Sequence, residues 1–216
     1  MSRTRLVCWI ALVAAISALE YSARFSGSAP KNTRNDVYSY AAFGSGLIFY
    51  GLIFVVVLAI AFDRTDLFAL QRPARRAAAI ALAVLIGIYL WELVVAALPI
   101  RDPGKEQGLT PTHWEPSHAG AFAANVVLFC AIAPVVEELT FRGVGQSLLR
   151  FTGRWPSILL VGIAFGLWHG LVQALLVLIP FGVGLAYLRD RTRSVIPGMV
   201  VHALFNGAAL ALAVLT

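Results

Sequence analysis

The sequence predicts an all-α, polytopic transmembrane helix bundle with about seven membrane helices plus an amphipathic interfacial helix. Two observations carry that reading. Of the 216 residues, 59% are hydrophobic and only 13% charged, against roughly 45–50% and 25% in a soluble domain, and the mean hydropathy is +0.80. The excess also sits in blocks rather than in alternation: apolar runs close to the ~20 residues that cross a bilayer core are separated by short polar links.

The predicted spans are 6–21, 41–62, 77–98, 119–136, 156–171, 172–188 and 195–215. The fifth and sixth abut, with only Gly170 as a break and His169 and Gln173 beside it. The first is short and follows Arg3 and Arg5, so a signal peptide cleaved near Ser22-Ala23 is the alternative to a retained helix. With the N-terminus in the cytoplasm, twelve arginines (3, 5, 64, 72, 75, 76, 142, 150, 154, 189, 191 and 193) fall inside and five basic residues (24, 31, 34, 101 and 105) outside. That bias supports both the helix count and the direction. Links 22–40 and 99–118 lie outside and carry Pro, Gly, Asn and Thr, as loops do. The inner link 63–76, with Pro73 and its arginines, reads as partly an interfacial helix. Segment 139–155 sets Leu148, Leu149 and Phe151 against Arg142, Arg150 and Arg154, and reads as an amphipathic helix on the inner surface. Residues 1–118 are thus N-terminal transmembrane helices and loops, and 119–216 the helical core of the same membrane domain.

The formal charge of +6 is spread over the links, which is topology rather than a basic face, so no nucleic-acid partner is expected. Cys8 and Cys130 both sit in apolar runs, without a CxxC pair or disulfide framework.

Ionisable side chains at membrane depth are costly, and each is a functional hypothesis. Glu137 and Glu138 end an apolar run; Glu138 and Arg142, four apart, share a helix face, while Glu137 is turned about 100° from Glu138. His169 closes the run Phe165-Gly-Leu-Trp168. His202 and Asn206, again four apart, share a face of the last helix. Glu92 follows Trp91 in the third helix, where a structural or substrate-facing role is open. Each feature has a plainer explanation: an interfacial ion pair, a snorkelling histidine, a hydrogen-bonded helix pair of about 1 kcal/mol. Together they supply what amide hydrolysis needs, a carboxylate and neutral imidazole to activate water and donors for an oxyanion. No serine or cysteine stands beside them as a nucleophile; Ser147 is nearest, on the surface segment. Two histidines and a glutamate are also a zinc set, but there is no HExxH, and His113 and His118 lie in an outer loop.

The ordered set Glu137-Glu138-x-x-x-Arg142, Phe165-x-x-x-His169 and His202-x-x-x-Asn206 resembles the CAAX-protease and bacteriocin-processing family, also called ABI proteins. The resemblance covers about residues 119–210. It implies an intramembrane glutamic endopeptidase without a cofactor, in which Glu137 is the general base paired with His169. Glu138 and Arg142 would orient and tune the site, His202 and Asn206 would form the oxyanion hole, and Phe165 would pack against it. Zinc dependence is the minority alternative. The implied partners are a membrane-associated peptide or protein substrate and the lipid bilayer. The arginine- and alanine-rich composition points to a bacterial cytoplasmic membrane. The other readings are a non-catalytic scaffold or immunity protein and a transporter, the last disfavoured because no inverted repeat or broken helix pair is visible. One tension stands: the acids fall at the inner end of helix four, whereas a full-length fifth helix carries His169 outward.

Overall fold

The computed structural model describes residues 3–26, 36–98 and 114–215, and among them it is a bundle of seven helices without strands. In chain order these are α1 (Arg3–Phe25), α2 (Tyr40–Ile60), α3 (Ala77–Ala96), α4 (Pro116–Thr152), α5 (Arg154–Trp168), α6 (Leu175–Thr192) and α7 (Ile196–Leu215).

The helices are apolar on all sides, yet the bundle buries only part of them. α2 has a mean hydropathy of 2.5 over its best window, of which 17% is buried within the protein, and α3 a hydropathy of 2.4 with 11% buried. Ile48, Leu52 and Val55 on α2, Leu90, Leu93 and Val94 on α3, and Val200 and Leu204 on α7 all stay exposed. In water such a surface would aggregate; lipid solvates it. With four helices long and apolar enough to cross a membrane, this is an integral membrane protein.

α4 organises the rest. It is continuous over 37 residues, about 55 Å at 1.5 Å per residue, well beyond a bilayer core of about 30 Å. Two π-helical stretches interrupt it, Leu128–Ile132 and Leu139–Gly145. The second lies in the segment expected to rest on the inner surface. It instead prolongs α4 into the protein, with every residue from Leu139 to Gly145 buried and Arg142 wholly so. Arg150 and Arg154, the rest of the supposed polar face, are exposed. The sequence pattern misled because the neighbours that cover this helix come from distant segments. The Trp9 ring of α1 packs on Gly145 and donates from Nε1 to the Thr140 carbonyl at 2.9 Å. The Phe68 backbone lies against Gly143.

Phe68 belongs to the link expected as an interfacial helix. It forms a short 3-10 turn, Thr65–Phe68, whose Leu67 and Phe68 are buried. Ala69 follows in the left-handed region (φ 50°) and its carbonyl accepts from Val195 N at 3.1 Å, while Ala74 N donates to Thr192 O at 3.3 Å. The link is therefore a plug under the start of α7.

α5 and α6 form a tight antiparallel hairpin. A Cβ on Gly162 would stand 2.7 Å from the Val183 nitrogen, so only glycine allows this approach. The two spans that abut in sequence part at residues 169–174, where Gly170 takes φ +62°.

Candidate functional site

Length resolves the tension over His169. The acids are not at the end of α4, because that helix runs on to Thr152. Counted from the turn at Gly153, Glu137 on α4 and His169 after α5 lie equally far along their helices, about 24 Å at 1.5 Å per residue. α5 is short, 15 residues, and His169 is its C-cap. His169 thus meets the acids at one depth. The α7 helix begins on the buried plug, so His202 and Asn206, in its second and third turns, reach the same level.

Glu137, Phe165, His169, His202 and Asn206 line one cavity of about 150 Å³, whose other walls include Tyr50, Phe129, Leu178, Phe181 and Phe205. Glu138 and Arg142 stand behind it. The sequence set is therefore brought together, in two layers.

In the inner layer, Arg142 Nη1 donates to Glu138 Oε1 at 2.6 Å and Nη2 to the Gly182 carbonyl of α6 at 3.0 Å. Its guanidinium carbon stacks 4.3 Å from the centre of the Phe165 ring. Both partners of the ion pair are fully buried. The second carboxylate oxygen, Glu138 Oε2, has no hydrogen-bond partner and presses on Gly198, in the first turn of α7. There it faces the positive end of that helix's dipole.

His202 links the layers. Its Nδ1 is 3.3 Å from Glu138 Oε1 and its Nε2 is 3.7 Å from Glu137 Oε2. A carboxylate accepts, so Nδ1 donates to Glu138. Edge-on contacts hold the ring, with centroids 5.7 Å from Phe165 and 5.1 Å from Phe181. Glu137, turned away from Glu138 as the helical period requires, accepts from the Tyr50 hydroxyl at 2.8 Å. His169 Nδ1 is 2.8 Å from the Phe165 carbonyl. A carbonyl only accepts, so that nitrogen carries the proton and Nε2 holds the lone pair of the neutral ring.

Asn206 is placed by a defect in α4. In the π stretch, Ala133 N bonds Leu128 O instead of Phe129 O. The next residue, Pro134, has no N–H. Phe129 O is thereby orphaned, and Asn206 Nδ2 donates to it at 2.8 Å. An amide nitrogen carries two N–H groups, which leaves the other for the cavity. α6 repeats the device: Pro180 frees the Leu176 carbonyl one turn back, and Trp91 Nε1 of α3 takes it at 2.6 Å. The neighbouring Glu92 does not line the cavity.

Sequence reasoning missed Tyr50 and the apolar walls. The walls look like any core residue. Tyr50 carried a signal, a hydroxyl at the middle of the span 41–62, whose other hydroxyl, Ser45, bonds its own helix at Ala42 O. His118 pairs with Glu115 at 3.0 Å, away from the cavity, and His113 lies outside the described residues. Zinc would need several donors converging on one point; among the described residues no three His, Cys, Asp or Glu are grouped so as to hold a metal ion.

Residues 119–208, from the start of the apolar part of α4 through most of α7, match the family described as Rce1-like, type II CAAX prenyl endopeptidase. No curated protein and no solved structure matches the chain.

Proposed function

From the membership of residues 119–208 in the Rce1-like family, which supports a CAAX-type intramembrane protease acting on a peptide or protein, we propose a glutamate-based mechanism for this chain. The observation that carries it is the convergence of Glu137, His169, His202 and Asn206 on one cavity, each with an atom left for a reactant.

Water bound between Glu137 Oε2 and His169 Nε2 attacks the scissile carbonyl carbon. As the C–O bond forms, Glu137 takes the water proton, with the bare Nε2 of His169 accepting from the second O–H. Charge develops on the carbonyl oxygen. The second N–H of Asn206 and Nε2–H of His202 donate to it, the kind of preorganised contact that contributes on the order of 10²–10³ in rate. In this arrangement His202 donates through both ring nitrogens, Nδ1 to Glu138 and Nε2 to the developing oxyanion. When the tetrahedral adduct collapses, the C–N bond breaks and the proton held by Glu137 passes to the leaving nitrogen. Glu138 and Arg142 orient His202, and Phe165 lies under the Arg142 guanidinium and meets both imidazoles edge-on. No step needs a metal or cofactor.

The substrate is membrane-associated, because the cavity lies among helices whose outer surfaces are lipid-facing. The arginine bias supports a cytoplasmic N-terminus, and the arginine- and alanine-rich composition supports a bacterial cytoplasmic membrane. The test is a comparison of membranes carrying the wild type, Glu137→Gln and His202→Ala. Cleavage is followed with an internally quenched peptide ending in a prenylated CAAX sequence, and native peptides are mass-mapped in parallel. Glu137→Gln should lose about 10²–10⁴-fold in rate and accumulate an uncut peptide. Equal processing by all three folded proteins would remove the assignment.

A further inference from the structure

The family match begins at residue 119, yet one group bonded to the proposed base comes from before it. We propose that Tyr50 of α2 is a positioning residue of the hydrolytic centre, and that it dictates which oxygen of Glu137 carries the proton. This rests on the reading of Glu137 as base.

The argument begins with geometry. The Tyr50 hydroxyl donates to Glu137 Oε1 at 2.8 Å, while Oε2 is the oxygen 3.7 Å from His202 Nε2. A carboxylate can take a proton on either oxygen, and only one is useful here. A proton on Oε1 would meet the hydroxyl already pointing at it and would lie away from His202. With Tyr50 donating, Oε1 remains an acceptor whether Glu137 is charged or neutral, so the proton taken from water resides on Oε2. That is the face from which it can reach a leaving nitrogen. A hydrogen bond from tyrosine is thus kept through both protonation states, and the side chain need not turn between base and acid roles.

Tyr50 is itself held in place. Its ring packs edge-on against Phe49 at 5.3 Å, and Phe49 lies 6.4 Å from Trp168, the residue before His169. The α2 helix therefore touches Glu137 directly and the residue that precedes His169. Tyr50 also lines the cavity, so its hydroxyl stands where the reactants would bind.

The test uses the full chain in proteoliposomes with the quenched, prenylated CAAX peptide and compares wild type, Tyr50→Phe and Glu137→Gln. Tyr50→Phe keeps the ring and removes one oxygen. We expect kcat to fall about 10- to 100-fold, the scale of a lost hydrogen bond to a charged group, with KM within about twofold. A second readout needs no turnover: the infrared carboxylate band that Glu137→Gln removes should shift in Tyr50→Phe. An unchanged kcat, or a loss confined to KM, overturns the proposal, as does a carboxylate band that stays in place. If the band shifts while wild type and Glu137→Gln cleave alike, the Tyr50–Glu137 bond stands and the general-base reading fails.

Discussion

Gly198→Ala separates activity from folding. A Cβ at Gly198 would lie 2.6 Å from Glu138 Oε2 and 3.4 Å from its Cδ. Ordinary contact begins near 3.4 Å, so the carboxylate oxygen must retreat by roughly 0.8 Å. The atom that gives way is the end of a flexible side chain, not backbone. The fold therefore loses little, and alanine gains up to about 1 kcal/mol over glycine in a helix. The expected change in stability is within about 1 kcal/mol, or about 2–4 °C in the thermal midpoint. The consequence for the site is larger. Glu138 Oε1 holds Arg142 at 2.6 Å and His202 at 3.3 Å, so moving the carboxylate swings the imidazole away from its place beside Glu137. Displacements of about 1 Å in a catalytic constellation cost up to 10²-fold, which puts the expected loss of kcat on the order of 10- to 100-fold. The assay pairs peptide cleavage in proteoliposomes with a thermal melt in detergent. Gly162→Ala is the contrast: its Cβ meets the Val183 backbone at 2.7 and 3.0 Å, and it should lose about 1–3 kcal/mol of stability by overpacking. A Gly198→Ala protein that melts early, or that cleaves at the wild-type rate, would refute the coupling of Glu138 to His202.

Other perturbations follow from the same contacts. Arg142→Met strands a buried carboxylate and should lower stability by about 3–5 kcal/mol, while E138L/R142M, with no charge left to strand, should recover much of it and remain inactive; melting curves of both decide this. Pro134→Ala restores an N–H beneath the orphaned Phe129 carbonyl, so the protein should melt higher and cleave more slowly, by about 10-fold or more as Asn206 loses its anchor. Gly170→Ala places a side chain at φ +62° and 2.4 Å from Glu20 Cβ, which should cost about 1–3 kcal/mol and disturb the turn carrying His169, read by melting and cleavage together. A strong chelator should leave cleavage by washed membranes unchanged; loss of activity that added zinc restores would sink the metal-free mechanism.

The class of fold was legible because composition and block hydropathy depend on the solvent, and lipid leaves a coarse signature. The pairing of Glu138 with Arg142, and the divergence of Glu137, were legible because helical period alone sets them. Depth was harder. The run 119–136 looks like a complete span, since the charges at 137, 138 and 142 end the apolar stretch. Only the distant partners of these groups reveal that α4 continues: Gly182 O on Arg142, Tyr50 on Glu137, Trp9 on the Thr140 carbonyl. No local pattern encodes partners 40 to 131 residues away. The same blindness put residues 139–145 on the surface. It also hid the π stretch, whose effect is visible only when the bond of each carbonyl is followed.

Whether the polar set serves as helix glue or as a hydrolytic centre turns on which bonds are left open. Glue is saturated: in lipid a buried donor or acceptor is costly unless it closes on a partner. The inner layer fits that description in part, with Arg142 tied to Glu138 and Gly182, and Gln146 Nε2 donating to Ala186 O at 3.0 Å; its unpartnered atoms, Glu138 Oε2, Arg142 Nε and Gln146 Oε1, are buried in residues that do not line the cavity. The outer layer does not. His169 closes only Nδ1, Asn206 has one N–H to spare, and Glu137 Oε2 lies 3.7 Å from the His202 Nε2, beyond hydrogen-bond length. These open valences face the same cavity. Packing alone would favour a sequence that filled it with an apolar side chain, at a gain in stability. A bundle that holds three such groups apart around a cavity forgoes that stability, and the proposed hydrolytic centre supplies a reason: a place for water and a peptide bond together.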